Sequence, residues 1–374
     1  MGRYDVGIVG AGIAGLSLAW HLQRAGKRVV VLEQSAVAMG ASVRNFGMLW
    51  IIGQPTVELH DLALRSRELW AEAADTLGFW IQTQGSLTLA YEPLELEVLR
   101  EYMASNGGAY ARELLSPGEL SERFPFVRSD RLQGGIYSPT EAGVDPREVV
   151  HQCASALSTL GVDVRFDCAV SRIQPGQVEL SSGDVVQADK IVVCPGPALY
   201  SLYPAACQSA GLLSCQLQML RLTAVSGDAQ PLGIHLCAGL TLGHYANFRQ
   251  CPSLPALREF HLQKWPEQMK QGIHVLVAEH ADGTITVGDS HAYGRGGAPY
   301  RDDSIDEAIL DAMDEFLPRN RYQVTKRWTG TYNTHATLPY WWQSLGDSIW
   351  GLNLFGTGMT LSFGLTERLS QQLI

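Results

Sequence analysis

What this 374-residue chain lacks narrows its chemistry first. It has no CxxC pair. Its seven cysteines (Cys153, Cys168, Cys194, Cys207, Cys215, Cys237, Cys251) form an odd set without metal-ligand spacing. We therefore expect reduced thiols, a cytoplasmic location and no metal centre. Net positive charge is also absent. The formal net charge of −10 disfavours nonspecific binding to nucleic acid or an anionic membrane. No apolar run reaches the ~20 residues of a membrane span. The uncharged stretch Val6 to Trp20 is too short and is broken by glycines. With a strand beginning at once, no signal peptide is expected. There is no internal repeat, no low-complexity tract and no Ser/His/Asp or Cys/His constellation for nucleophilic catalysis.

What is present is concentrated at the start. Tyr4 to Val9 reads as an apolar strand, followed by Gly10, Gly12 and Gly15 and a helical stretch to Arg24. A second strand, Val29 to Leu32, ends at Glu33. Strand, GxGxxG, helix, strand and acid is the arrangement that seats a dinucleotide pyrophosphate on a helix N-terminus. Gly10 permits the tight turn, Gly12 lets the backbone approach the pyrophosphate beside Ile13 and Ala14, and Gly15 brings helix and sheet together. Glu33, eighteen residues after Gly15, is placed to bind a ribose diol and would repel a 2′-phosphate, which disfavours NADP. The alternative is an apolar glycine-rich turn without a ligand.

The length exceeds what one compact core usually holds, so two domains are expected. Helices are expected over Glu58–Leu77, Pro93–Asn106 (ended by Gly107 and Gly108), Asp145–Leu160, with Pro146 at its first turn, and Asp303–Phe316. Strands are expected at Gly85–Tyr91, Gln133–Tyr137, Val162–Phe166, Ala169–Ile173, Val178–Leu180 and Lys190–Val193. Further strands are expected at Gln218–Ala224, His274–Glu279, Thr284–Asp289 and Ile349–Leu354, with a final helix after Gly356-Thr357-Gly358. The fold class is α/β (α+β overall): a discontinuous Rossmann-type domain over 1–80, 140–215 and 328–374, and an antiparallel-sheet substrate domain over 81–139 and 216–327.

Five segments together carry a resemblance. They are Gly10–Gly15 with Glu33, Ala41-Ser42-Val43-Arg44-Asn45-Phe46-Gly47, Gly143-Val144-Asp145-Pro146, Val192-Val193-Cys194-Pro195-Gly196, and Gly356-Thr357-Gly358-Met359. Over essentially its whole length the chain resembles the D-amino acid oxidase, glycine oxidase and sarcosine oxidase group. The resemblance implies FAD, in agreement with a single dinucleotide fingerprint. Val43–Gly47 with Gly53-Gln54-Pro55, Leu242-Gly243-His244-Tyr245 and Gly288-Asp289-Ser290-His291 resemble a subfamily associated with phosphonate degradation. That implies an aminoalkylphosphonate near 2-aminoethylphosphonate as substrate.

The same resemblance implies site residues. Gln34 follows the ribose acid, and the backbone at Val170 would contact adenine. Ser42, Arg44, Asn45, Phe46 and Gly47 would pass along the isoalloxazine, with Arg44 neutralising flavin or substrate charge. Pro195 and Gly196 close the nucleotide strand. Gly356, Thr357, Gly358, Met359 and Thr360 would aim a helix N-terminus at flavin N1 and O2. Relatives with covalent flavin carry a cysteine in the region of Trp328-Thr329-Gly330-Thr331-Tyr332. No cysteine follows Cys251, so non-covalent FAD is expected. Tyrosines and an arginine hold the substrate anion in relatives. Candidates here are His244, Tyr245, His280, His291, Arg327, Tyr332 and His335, with Trp328, Trp341 and Trp342 as cavity walls.

The expected reaction is hydride transfer from a small anionic amine to flavin N5, then imine hydrolysis, with oxygen or another electron acceptor reoxidising the flavin. A D-amino acid, glycine or sarcosine type substrate is the alternative. A flavin monooxygenase and a noncatalytic flavin-holding protein are more remote ones.

Overall fold

The parallel pairing that follows from the first glycine turn organises one half of the molecule. The computed structural model describes residues 2–105, 110–225, 231–294 and 297–374. Strand Tyr4–Val9 lies between Val29–Leu32 and Val185–Val193, parallel to both. Val29–Leu32 is buried at every position, as a central parallel strand with both faces covered should be. Asp163–Arg165 extends the sheet on one side and Ile349–Asn353 on the other. The outer end of Val185–Val193 turns into an antiparallel ribbon with Gln177–Leu180 and Val170–Gln174.

Helices Ile13–Arg24, Val57–Leu77 and Gly358–Leu373 share this half's main core, where the Phe363 ring meets Trp20 at 5.3 Å and Trp70 at 4.6 Å. Their ends follow local chemistry. Thr56 accepts the Leu59 N–H as N-cap, and Gly78 closes the same helix in the left-handed conformation. Asp145 caps Pro146–Thr159, with the proline where a missing N–H costs nothing.

The second half is a nine-stranded, mainly antiparallel sheet. Its spine is the pair Leu213–Ala224 and Tyr322–Thr334, paired from Leu213–Thr334 to Ala224–Tyr322 with a one-residue register shift between Arg221 and Leu222. Helix Asp303–Asp314 packs into a core on one face of this sheet. On the other, Leu217, Met219, Tyr245, Trp328 and Tyr332 join Phe46, Met48 and Trp50 from the nucleotide half in one apolar cluster. The cavity described below lies along that junction.

The expected α/β class with a separate sheet domain agrees with this architecture. The boundary expected at 328 does not, because Tyr322–Thr334 runs through it unbroken, held by continuous pairing to Leu213–Ala224. Residues 213–215 belong to the second sheet for the same reason. Gly107 and Gly108 lie outside the described residues. Among the described residues no helix is long and apolar enough to cross a membrane, and no disulfide forms.

Candidate active site

The fingerprint turn opens one end of a cavity of about 1210 Å³, roomy against the ~300–1,000 Å³ typical of ligand pockets. Gly10 has φ +109° and is pressed against the Cys194 carbonyl. A side chain on Gly15 would fall on the Gly10 carbonyl oxygen. Helix Ile13–Arg24 starts at Gly12, which has no side chain to cap it, with no acid in its first turn; of its first N–H groups, that of Ile13 donates to Ser42 Oγ at 3.0 Å. The helix end therefore keeps its positive character for an anionic group. Glu33 accepts the N–H of Ala11 at 3.0 Å and of Ser35 at 3.1 Å, one on each oxygen. Lone pairs are left over for ribose hydroxyls. Gly10, Gly12, Ile13, Ala14, Glu33, Gln34, Ser42, Val170, Pro195 and Gly196 all line this end. Gly15 does not, because its role is to let helix and turn touch.

Arg44, Asn45, Phe46, Gly330 and the run Gly356-Thr357-Gly358-Met359-Thr360 line the other end. Helix Gly358–Leu373 also begins without a side-chain cap or an acidic first turn. Its start is held by Thr360, whose hydroxyl accepts the Trp50 N–H at 2.9 Å, and by the Met359 carbonyl, which accepts from Trp70 Nε1 at 2.9 Å. Both ends of the cavity thus present an uncapped helix N-terminus. That suits a cofactor with a pyrophosphate at one end and a charge-accepting ring at the other. Gly47 lies outside the lining. Its φ of +75° and its contact with the Val144 carbonyl make it a turn residue.

Arg44 is less free than expected. Its Nε donates to the Met39 carbonyl at 2.9 Å and another guanidinium nitrogen to the Thr329 carbonyl at 3.1 Å. Trp328 Nε1 donates back to the Arg44 carbonyl at 3.2 Å. The arginine thereby clips the ring-side loop to strand Tyr322–Thr334.

The roof gathers His244, Tyr245, Tyr332, His291 and His335 as expected. It does not include Arg327, whose Nε bonds Asp306 of helix Asp303–Asp314 at 3.1 Å on the far face of the sheet. Strand alternation explains this: Trp328, Gly330 and Tyr332 point one way and Arg327 the other. His280 is likewise elsewhere, bonded to Thr286 at 2.7 Å. None of Trp328, Trp341 and Trp342 lines the cavity. Trp50 does, 6.1 Å from the Tyr245 ring. Sequence reasoning also missed Arg249, His274 and Asp289. Arg249 is exposed at the cavity wall and has no side-chain partner among the described residues. His274 and Asp289 face each other across neighbouring strand ends, joined by Asp289 N–H to the His274 carbonyl at 2.8 Å.

Burial dominates the electrostatics of this roof. It pushes the imidazoles of His244 and His274 well below their usual range, helped by mutual repulsion within the histidine cluster. It holds the phenols of Tyr245 and Tyr332 well above theirs, so both act as neutral donors. Asp289 is raised to about 6 by burial, partly opposed by His291. An acid raised in the folded state binds more protons folded than unfolded between about 4 and 6, so its contribution to stability falls as pH rises through that window. Asp289→Asn should therefore melt above the unmutated protein at pH 8, and the gap should narrow at pH 4.5. Paired thermal melts at the two pH values check this.

Three comparisons bear on this geometry. A family model described as "FAD dependent oxidoreductase" matches residues 5–372. Mitochondrial dimethylglycine dehydrogenase of Rattus norvegicus is 28% identical over 205 residues, which is 52% of this chain and 24% of that protein. Human mitochondrial sarcosine dehydrogenase is 31% identical over 176 residues, covering 46% of this chain and 19% of that one. The chain thus spans about a quarter or less of the length of these curated relatives. Among solved structures, glycine oxidase from Geobacillus kaustophilus superposes with a TM-score of 0.79 at 20% identity, over 100% of this chain and 95% of that one. This is a likeness of fold.

Proposed function

The chain belongs to the family of FAD dependent oxidoreductases, and from that premise we propose that it oxidises a small amine bearing an anionic group. Its cofactor is FAD, bound non-covalently. The observation that carries the proposal is the roof of the cavity. Neutral phenols at Tyr245 and Tyr332, an unpaired guanidinium at Arg249 and the Trp50 indole line the same cavity as Gly356–Thr360, with Tyr332 beside Gly356 and Trp50 bonded to Thr360. Bound FAD supplies the acceptor for the hydride that leaves the amine's α-carbon. The protein's part is positional. Arg249 and the two phenols hold the anion, Trp50 and the apolar cluster at the junction exclude water, and the bound amine is kept with its C–H toward the ring end. The imine that results is hydrolysed by water.

Sarcosine, glycine and dimethylglycine type carboxylates stand first, since the relatives named above are dehydrogenases and oxidases of such amines. An aminoalkylphosphonate is the second reading. Arg249, with a full guanidinium fork unspent, suits a phosphonate's three oxygens as well as a carboxylate's two.

The test is anaerobic mixing of the yellow protein with glycine, sarcosine, dimethylglycine, D-alanine and 2-aminoethylphosphonate in turn. Bleaching near 450 nm (about where oxidised flavin absorbs) by a member of the panel is the expected result. Readmission of air then reports whether oxygen is the acceptor. A flavin that no amine bleaches overturns the reading, and rapid bleaching by NADPH alone would point to a monooxygenase.

A further inference from the structure

We infer that Asp289, acting with His274, His291 and His244, is the proton acceptor that strips the substrate's ammonium group before the α-carbon gives up its hydride. This rests on the amine reading above. The network lies in the cavity wall at the ring end. His274 Nε2 is 3.3 Å from Asp289 Oδ1, and His291 Nε2 is 3.9 Å from Oδ2. The His274 ring stacks on His244 at 3.8 Å and on His291 at 5.0 Å.

Proton counting shows what the arrangement lacks. His291 Nδ1 lies 3.1 Å from the Gly272 carbonyl, an acceptor, so that nitrogen carries the hydrogen. With Nδ1 committed to that carbonyl, the nitrogen of His291 that faces the Asp289 carboxylate is Nε2. Asp289 is 5% exposed, and its Oδ1 has no hydrogen-bond donor; His274 Nδ1 is buried without a partner as well. A buried carboxylate oxygen without a hydrogen-bond donor is costly, and a proton taken up by this cluster relieves that cost. A cationic amine entering the cavity offers that proton. The N–H bond of the ammonium breaks, an O–H forms on Asp289 or an N–H on its imidazole partner, and the nitrogen lone pair is freed. Charge is conserved and no electron moves.

The other groups facing the network do not compete. Tyr245 and Tyr332 hold their protons, as described. Tyr293 is raised to about 12 by burial, Cys215 to about 11 and Cys237 to about 12. A bound metal is the rival occupant, since the three histidine nitrogens lie within 4.8 Å of one another. The stacking of His274 opposes it: its ring lies at 28° to His244 and 23° to His291, nearly parallel to both although those two are tilted at 45° to each other, whereas a metal ion needs the three lone pairs to converge.

The experiment uses the flavin-loaded enzyme. Histidine-selective carbon-13 NMR from pH 5 to 9 should show the signals of these imidazoles shifting together as the neighbouring Asp289 takes up its proton, a transition lost in Asp289→Asn. Stopped-flow anaerobic reduction by whichever panel amine bleaches the flavin should slow on the acid side in the unmutated protein. In Asp289→Asn, and in His274→Gln should the first variant not fold, reduction should be at least tenfold slower near pH 7. It should recover toward the free amine's own ionisation, with flavin content unchanged. An identical pH–rate profile in the variants, histidine signals that do not titrate, or one equivalent of metal by elemental analysis each overturn the proposal. If no amine bleaches the flavin, the amine reading has failed, which the NMR titration reports separately from any failure of the network to take up a proton.

Discussion

Gly15→Ala is expected to purify colourless, with FAD affinity reduced by at least ~100-fold, about 2.7 kcal/mol. The added methyl would occupy the position of the Gly10 carbonyl oxygen and press on Ile8 at 3.1 Å and Cys194 Sγ at 3.3 Å. Neither neighbour can yield. The Gly10 carbonyl belongs to the turn itself, and Ile8 and Cys194 are buried in the parallel sheet. The helix must lift away, and its first-turn N–H groups then leave the place where a pyrophosphate would meet them. The ratio of absorbance at 280 nm to that near 450 nm (a generic flavin band), with fluorescence titration of the apoprotein, measures the loss. Far-UV circular dichroism separates it from unfolding. A variant that binds FAD like the parent would show that the cofactor is not seated on this turn.

Arg249→Met is expected to lower kcat/KM for the preferred amine by ~10–100-fold, the worth of a hydrogen bond to a charged group at about 1.5–3 kcal/mol. The change should fall mainly on KM, because the anion is gripped equally before and during hydride transfer. Arg249→Lys should sit between the two, keeping the charge but not the fork. Arg327→Ala is the control. Its guanidinium is committed to Asp306, which keeps Arg301 as a second partner, and it lies outside the cavity. Its effect on KM should be below twofold. Steady-state kinetics over the four proteins decides the matter, and equal losses from Arg249→Met and Arg327→Ala would remove the anion-binding role of Arg249.

The contrast between these two arginines shows how far sequence reasoning reaches. The nucleotide seat was legible because all its parts fall within Tyr4 to Glu33, and each glycine answers to a steric demand made by a neighbour in the chain. The ring-side residues Arg44–Phe46 and Gly356–Thr360 were found by resemblance, and they line the cavity. Arg327 was misplaced although a signal existed. Tyr332 on the cavity face of a strand puts residues an odd number of positions away on the other face. No comparable signal marked Arg249, which follows a short helical turn after Tyr245 and meets the cavity only through the packing of that turn.

The histidine–aspartate roof makes the same point over longer distances. His244, His274 and His291 sit on separate segments, and no spacing in the chain relates them. What brings His274 beside Asp289 is the register of strands Leu276–Glu279 and Ile285–Gly288, which pairs Leu276 with Gly288 and carries the two flanking residues together.

The linear order of residues therefore settled the class of protein: a dinucleotide bound at a glycine turn, with flavin chemistry implied by the segments around it. It could do so because turns, caps and strand–helix alternation are decided by atoms close together along the chain. Which side chains confront the amine was settled only when two sheets met. Facing residues there are neighbours through strand register and interdomain packing, and those contacts depend on the whole fold at once.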